Sequence, residues 1–424
     1  MNTGPYAGLP IRIEDGDVAA VEDVSEPRDP AAAPGTRLPV ELHDRVALLV
    51  IHDGDVVPAG ALDLPGGRIP LSSFAEDYIR ERDWGATEVA RRAAASLGLP
   101  GCSRIRIARV LMDFGRFPGE TPRGADHLRR FALNYPFSDL LGFQQKRDVL
   151  ERWYDGCSDV LEPVVRGRSV MLGVHTYDPH NESGTGRPDV SIITRPIGYQ
   201  VDSRMPVGVF DPLFPDVLAE YTADRVLRDR LSLTLERAHV RVAHNYPYCF
   251  PEGSVEVRSQ VWFFFDWLRR RFEEACPDTP GDPAYDLVWD MLLNTNLRSA
   301  ESDALRSHVH FFRRAPRGRT AIFKRALAAY QQVAGFVNRD ERALVAGYRR
   351  SLDRPSSMAV EVRKDLVYRF DAQGMPVGPR EDAVKRIGDL IARALVVYFT
   401  EDKPAMAEAP TLVLDPVPDE LDRD

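Results

Sequence analysis

The stretch VMLGVHTYDPHNESGTGRPDVSI, residues 170–192, decides how the chain is read. Its first half is an apolar, β-branched run with no polar alternation, the pattern of a strand buried on both faces of a sheet. The run ends on His175 and passes into a polar loop carrying Asp178, His180, Glu182, Arg187 and Asp189. An imidazole at the tip of a buried strand is rigidly held, which suits a metal ligand or a catalytic group.

Working outward, the same pattern recurs. RVALLVI (45–51) is a second buried-strand run and is followed by His52. Between the two lie DWGATEVARRAAASLG (83–98), read as a helix with Asp83 as N-cap, IRIARVLMDF (105–114), read as a strand, and LERWYDGCSDVLEPVV (150–165), read as a helix. Strands alternating with helices predict the α/β class, here a three-layer α/β/α arrangement with a mostly parallel mixed sheet. Ligands of such sheets bind beyond the carboxyl ends of the strands, where His52 and His175 would both sit.

Residues 255–355 have a different texture. QVWFFFDWLRRRFEEA, YDLVWDMLLNTNL and TAIFKRALAAYQQVAGFV all follow helical spacing, and the segment reads as a helical insertion. MAVEVRKDLVYRF (358–370) then alternates like a strand and EDAVKRIGDLIARALVVYF (381–399) closes as a helix. The resulting division is a weakly structured lead-in (1–38), a catalytic α/β domain (39–254 and 356–400), the helical insertion (255–355) and an acidic tail (401–424).

Composition narrows the functional class. With 424 residues and 44% hydrophobic side chains the chain can bury a sizeable core, and a net charge of −9 argues against a general nucleic-acid binder. Four scattered cysteines form no CxxC pair, which fits a reducing cytoplasm better than a disulfide framework. The N-terminal residues lack signal-peptide character and the most apolar runs, such as VWFFFDW, fall short of a membrane span. The expectation is a cytoplasmic protein with no membrane or nucleic-acid partner, acting on a small molecule or short peptide that carries a carboxylate. Homo-oligomerisation is left open, the aromatic cluster at 262–267 fitting either core or subunit contact.

An open zinc site uses three protein ligands and a water, commonly histidines and a carboxylate. His52 and His175 are the candidate nitrogen ligands, and Asp83 the candidate carboxylate, with Glu81 and Asp55 as alternatives. Glu361, between apolar neighbours in the alternating strand, is the candidate base, a buried carboxylate there being costly without a cation or a task. RVLMDFGR places Arg109 and Arg116 around Asp113, and Arg187 lies in the polar loop; arginine's planar fork suits a substrate carboxylate. Each has a plainer reading: hydrogen-bonded strand-end histidines, a helix cap at Asp83, a salt bridge from Glu361 to Arg363 or another arginine, and a buried ion network around Asp113. His308 and His310 in SHVHFF would share a face of a strand and most simply pack there. His180 and Glu182 read as solvent-exposed loop groups or supporting groups near the site.

The order of these segments resembles the N-formylglutamate amidohydrolase family, whose fold is related to that of the zinc carboxypeptidases. VIHDGDVVP stands where that family has a PHSG-like segment, keeping His52. ERDW (81–84) is similar to its acidic-x-Asp-Trp helix start, and Arg109, Asp113 and Arg116 match its arginine and aspartate spacing. GVHT (173–176) resembles its Asp-x-His-Ser strand end, with Gly173 in place of the Asp and Thr176 in place of the Ser. GRPDV, NYPY (245–248) with Asn245, and VEVRKDL with Glu361 follow in the same order. The resemblance implies one Zn²⁺ held by His52, Asp83 and His175, catalysis by Glu361 and Arg116, and substrate contacts from Arg109, Asp113, Arg187 and Asn245. The implied reaction is metal-assisted hydrolysis of an N-acyl amide next to a carboxylate. The helical insertion raises the alternative of a peptide-tailoring amidohydrolase with a larger cleft, and the changes at Gly173 and Thr176 that of a metal-free binding or scaffold descendant.

Overall fold

The computed structural model describes residues 8–25, 35–64, 67–126, 129–181, 183–198, 210–351 and 354–402, so Glu182 and most of the 401–424 tail lie outside the described residues. A seven-stranded sheet forms the centre, from β1 (Val21–Val24), β2 (Val46–Val50), β3 (Cys102–Ile105), β4 (Val170–Tyr177), β5 (Val190–Ile193), β6 (Val242–His244) and β7 (Ser356–Arg363), in the order β6-β5-β7-β4-β2-β3-β1. The pairs β5/β6, β4/β7, β2/β4 and β2/β3 are parallel; β5/β7 and β1/β3 are antiparallel. This is the α/β class with the mostly parallel mixed sheet that the alternation of elements predicts.

The two-residue side-chain period sends alternate residues of each strand into different cores. Leu48 and Val50 of β2, Leu172 and Val174 of β4, and Met358, Val360 and Val362 of β7 pack on one face. Three helices cover that face: α2 (Ala86–Leu97), α4 (Arg225–Arg237) and α10 (Glu381–Val397), through residues such as Val89, Ala93, Leu231, Ile387 and Ile391. Leu49, Ile105 and Met171 face the other way, against Tyr154 and against Cys157 and Leu161 of α3 (Asp155–Val165). Helix α1 (Ala75–Glu81) is a short element leading into the loop before α2.

The helical stretch comprises α5 (Val255–Ala275), α6 (Pro283–Leu293), α7 (Ala300–Phe311), α8 (Thr320–Arg339) and α9 (Glu341–Arg350). Val257, Val261 and Phe264 of α5 share one core with Ile193 of β5 and Ala359 of β7, so α5 packs directly on the sheet. The aromatic cluster at 262–267 is mostly interior: Phe264 and Phe265 are fully buried and Trp267 nearly so. No helix among the described residues is long and apolar enough to cross a membrane.

Several local expectations are corrected. The apolar run 105–114 is not a strand: β3 ends at Ile105, Ile107 makes only an isolated bridge to Val56, and the chain turns at Ala108. Val110, Leu111 and Met112 are apolar because that turn is buried under the sheet. His308 and His310 lie on helix α7, not a strand, and point to different partners, the Arg313 carbonyl and Asp211. Residues 21–24 within the lead-in form edge strand β1, paired to β3. Strand β4 continues past His175 to Tyr177, so the histidine lies inside the sheet.

Candidate metal centre

Four segments bring the site together, the carboxyl ends of β2, β4 and β7 and the loop between α1 and α2. His52 follows β2, and its carbonyl accepts the backbone N–H of Asp83 at 3.1 Å, which docks the loop between α1 and α2 against it. Asp83 is not the helix cap that the sequence suggests. The cap position of α2 is Gly85, in the left-handed conformation at φ 91°, where glycine carries no side-chain penalty. That turn frees the Asp83 carboxylate to point at the histidines. His175 projects from β4 directly beside Glu361 of β7, its register partner in the parallel pair.

One ligand atom from each of His52, Asp83 and His175 lies within 4.8 Å of the others, and all three residues are buried. Asp83 Oδ2 is 3.0 Å from His175 Nδ1 and 3.5 Å from His52 Nδ1, so both imidazoles aim the same nitrogen at one oxygen. Their ring centroids are 4.9 Å apart, which brings the ring nitrogens within the reach of one cation. Behind His52, its Nε2 lies 2.7 Å from Asp113 Oδ1, which also accepts the Gly115 N–H at 2.8 Å. Asp113 Oδ2 in turn faces Arg109 Nε at 3.2 Å and Arg116 Nε at 3.8 Å. This carboxylate–histidine arrangement fixes the ring and directs Nδ1 inward.

The electrostatics follow from the packing. Burial pushes the Asp83 carboxyl upward, but the hydrogen bonds to His175 and His52 and the charge of Arg109 outweigh it and hold the group well below the usual carboxylate range. Asp113 is likewise held far down, burial being overcome by His52, Arg109 and Arg116. For His175, burial favours the neutral ring, yet the hydrogen bond to Asp83 and the charges of Glu361, Asp83 and Glu256 raise it to about 9. Two imidazoles among four carboxylates make a pocket that draws positive charge.

Glu361 differs from the other acids. Among the described residues no hydrogen bond or ion pair occupies its carboxylate, and burial raises its pKa against the pull of His175. The plainer reading, a salt bridge to Arg363, does not form: Arg363 instead meets Asp365 at 2.7 Å and Asp189 at 3.3 Å.

The other sequence candidates separate. Asp55 is engaged by Arg12 at 2.8 Å and Arg104 at 3.0 Å, and Glu81 faces Arg130 at 3.4 Å, so neither joins the histidines. Arg109 sits between Asp83 and Asp113, with Nη1 3.4 Å from Asp83 Oδ1. Arg187 is buried, with its guanidinium over the rings of Tyr177 and Tyr248 at 5.6 and 5.0 Å and its Nε without a hydrogen-bond partner among the described residues. Burial pushes the Tyr177 and Tyr248 hydroxyls up. Asn245 adopts a left-handed φ of 52°, and its Oδ1 accepts the N–H groups of Thr194 at 2.8 Å and Arg195 at 3.0 Å, a loop-holding task. Thr176 donates its hydroxyl to the Trp84 carbonyl at 3.2 Å, tying β4 to the Asp83 loop.

Sequence reasoning missed Tyr177, Tyr248 and one buried acid, Glu256, which is 1% exposed in the first turn of α5. A signal existed for Glu256: it and Gln260 are polar residues one turn apart, flanking the apolar stripe Val257, Val261, Phe264 and Leu268.

No protein-family model matches the chain, and no curated protein matches it. Among solved structures, the N-formylglutamate amidohydrolase of Ralstonia eutropha JMP134 is similar at 13% identity, with 90% of this chain and 98% of that chain covered and a TM-score of 0.43. A gene product of Agrobacterium tumefaciens is similar at 14% identity, over 83% of this chain and 90% of that chain, with a TM-score of 0.41.

Proposed function

We propose that this chain is a metal-dependent amidohydrolase, with one Zn²⁺ held by His52, Asp83 and His175, that cleaves an N-acyl amide next to a carboxylate. The observation that carries the reading is the convergence of the two Nδ1 atoms on Asp83 beside the unengaged carboxylate of Glu361. The donor set fits a divalent cation: two imidazoles and one carboxylate, buried, with one ring already braced by a second carboxylate. When bound, such an ion supplies Lewis acidity and a more acidic water.

The chain's own residues supply the remaining functions. Glu361, with its affinity for protons raised by burial, takes the proton from the attacking water and returns it to the leaving nitrogen. Arg109 and Asp113 hold His52 and Asp83 in place. Arg116 and Arg187 provide the positive charge that steadies the developing oxyanion and the substrate carboxylate, a task suited to a planar fork. An N-formyl amino acid such as N-formylglutamate is the simplest substrate of that description, in keeping with the motif order. The product side of the reaction is a carboxylic acid and a free amino acid.

The test is elemental analysis of gently purified protein, followed by assay of the metal-loaded enzyme on N-formylglutamate, other N-acyl amino acids and short acylated peptides. One zinc per chain and chelator-sensitive hydrolysis of a carboxylate-bearing amide are the expected results. Absence of bound metal after zinc addition would overturn the reading.

A further inference from the structure

The two histidines are backed unequally in the hydrogen-bond pattern. His52 has Nδ1 toward Asp83 and Nε2 against Asp113, whereas His175 has Nδ1 toward Asp83 and Nε2 turned toward the face of the sheet on which α5 packs. On that face the strand has no side chain at position 173. A Cβ built on Gly173 would lie 3.1 Å from His175 Nε2 and 2.6 Å from Glu256 Oε1. The imidazole nitrogen and the carboxylate oxygen therefore converge on one point, from strand β4 and from the start of α5.

We infer that Glu256 is the positioning residue of His175: its carboxylate accepts the Nε2–H and so keeps Nδ1 directed at the cation. The inference rests on the metal-centre reading above. Glu256 does from a distant part of the chain what an acidic side chain at position 173 would do locally, and Gly173 is what makes room for it. Any larger residue there would collide with Oε1 at a distance real Cβ contacts essentially never show.

One further observation supports the assignment. Glu256 is 1% exposed, and its Oε1 has no hydrogen-bond partner among the described residues. A buried carboxylate oxygen without a donor is costly, so a task for it is expected. With Asp113 behind His52 and Glu256 behind His175, each candidate nitrogen ligand has its own buried carboxylate, the arrangement that orients metal-binding imidazoles in general.

The experiment uses the full chain stripped of metal and compares wild type, Glu256→Gln, Glu256→Ala and the double variant Glu256→Ala/Gly173→Asp. Zn²⁺ affinity is measured by competition with a chromophoric chelator, and the melting temperature of each metal-free form is recorded. Glu256→Ala is expected to weaken Zn²⁺ binding by roughly 10–100-fold, and the metal-free melting temperature separates that loss from a loss of fold. Glu256→Gln, which keeps an acceptor oxygen but no charge, should fall between Ala and wild type. The double variant should regain most of the lost affinity. If Glu256→Ala does not fold, the smaller loss in Glu256→Gln decides the matter. Wild-type affinity in either single variant overturns the inference while leaving the metal centre standing, as does a folded double variant that regains nothing. A wild-type protein that binds no Zn²⁺ overturns the metal reading itself.

Discussion

The molecule buries two acid–histidine clusters, and they are built to opposite ends. In the helical region Asp211 accepts His310 Nε2 at 2.9 Å on one oxygen, and the Leu213 N–H at 2.9 Å and the Tyr330 hydroxyl at 3.0 Å on the other. Both of its oxygens meet donors, and the result pins α7 and α8 to the loop before α4. At the sheet end, two imidazoles crowd a single oxygen of Asp83 while, among the described residues, no hydrogen bond reaches Glu361 or one oxygen of Glu256. A closed set of bonds stabilises a fold; a convergent and incompletely satisfied set waits for a ligand. The presence of an Asp–His contact therefore says little about function, whereas the balance of donors and acceptors around it says much.

The largest expected difference between the two clusters is in metal content. His52→Ala and His175→Ala should each reduce bound zinc from one per chain to near zero in elemental analysis, with hydrolysis lost in parallel, because two remaining ligands hold the ion poorly. His310→Ala should leave zinc at one per chain. Equal metal content in all three variants would erase the distinction. Next in size is Glu361→Gln, which removes the base but no proposed ligand. It should keep the zinc and lower kcat by about 10²–10⁴-fold, with the metal stoichiometry measured on the same sample.

A smaller effect probes the support of the site. Asp113→Asn keeps an acceptor for His52 Nε2 but removes the negative charge facing Arg109 and Arg116. Zn²⁺ affinity should fall by about 10–100-fold while binding remains measurable, in contrast to the histidine variants. Chelator competition distinguishes the two cases, and an affinity equal to wild type would show that the ring of His52 needs no such brace.

Much of the sheet-end cluster was legible in the sequence because the strands there are rich in apolar residues, so a histidine or glutamate near their ends or between apolar neighbours stands out. His52, His175 and Glu361 are of this kind, and ERDW marked Asp83 even though its helix-cap reading was wrong. Choosing Asp83 over Glu81 and Asp55 needed the fold, since only the turn at Gly85 shows which carboxylate faces inward. Edge strand β1 was hidden because VEDV is half acidic, as suits an edge exposed on one side. The run 105–114 misled for the opposite reason, a buried turn having the composition of a strand. Glu256 could not be reached from sequence at all as a partner of His175, because its meaning depends on a missing side chain at Gly173 and on the docking of α5. The Asp211 cluster is equally non-local: its histidine and tyrosine lie 99 and 119 positions away.

The smallest expected effect tests the closed cluster on its own terms. Asp211→Asn keeps an oxygen that can accept from two donors, but its amide group must replace a carboxylate oxygen that now receives one. If the oxygen stays with Leu213 N–H and Tyr330, the amide N–H₂ faces His310, whose Nε2 must then act as an acceptor, with its proton moved to the other nitrogen. If the amide turns over, two donors lose their acceptor instead. The first arrangement is the less costly, so the loss should be about 1–3 kcal/mol, the range for a disturbed buried hydrogen bond. Chemical denaturation of the metal-free protein measures it, and zinc affinity should not change. A parallel loss of zinc would mean that the helical region and the sheet end are energetically one unit, through the core that α5 shares with β5 and β7.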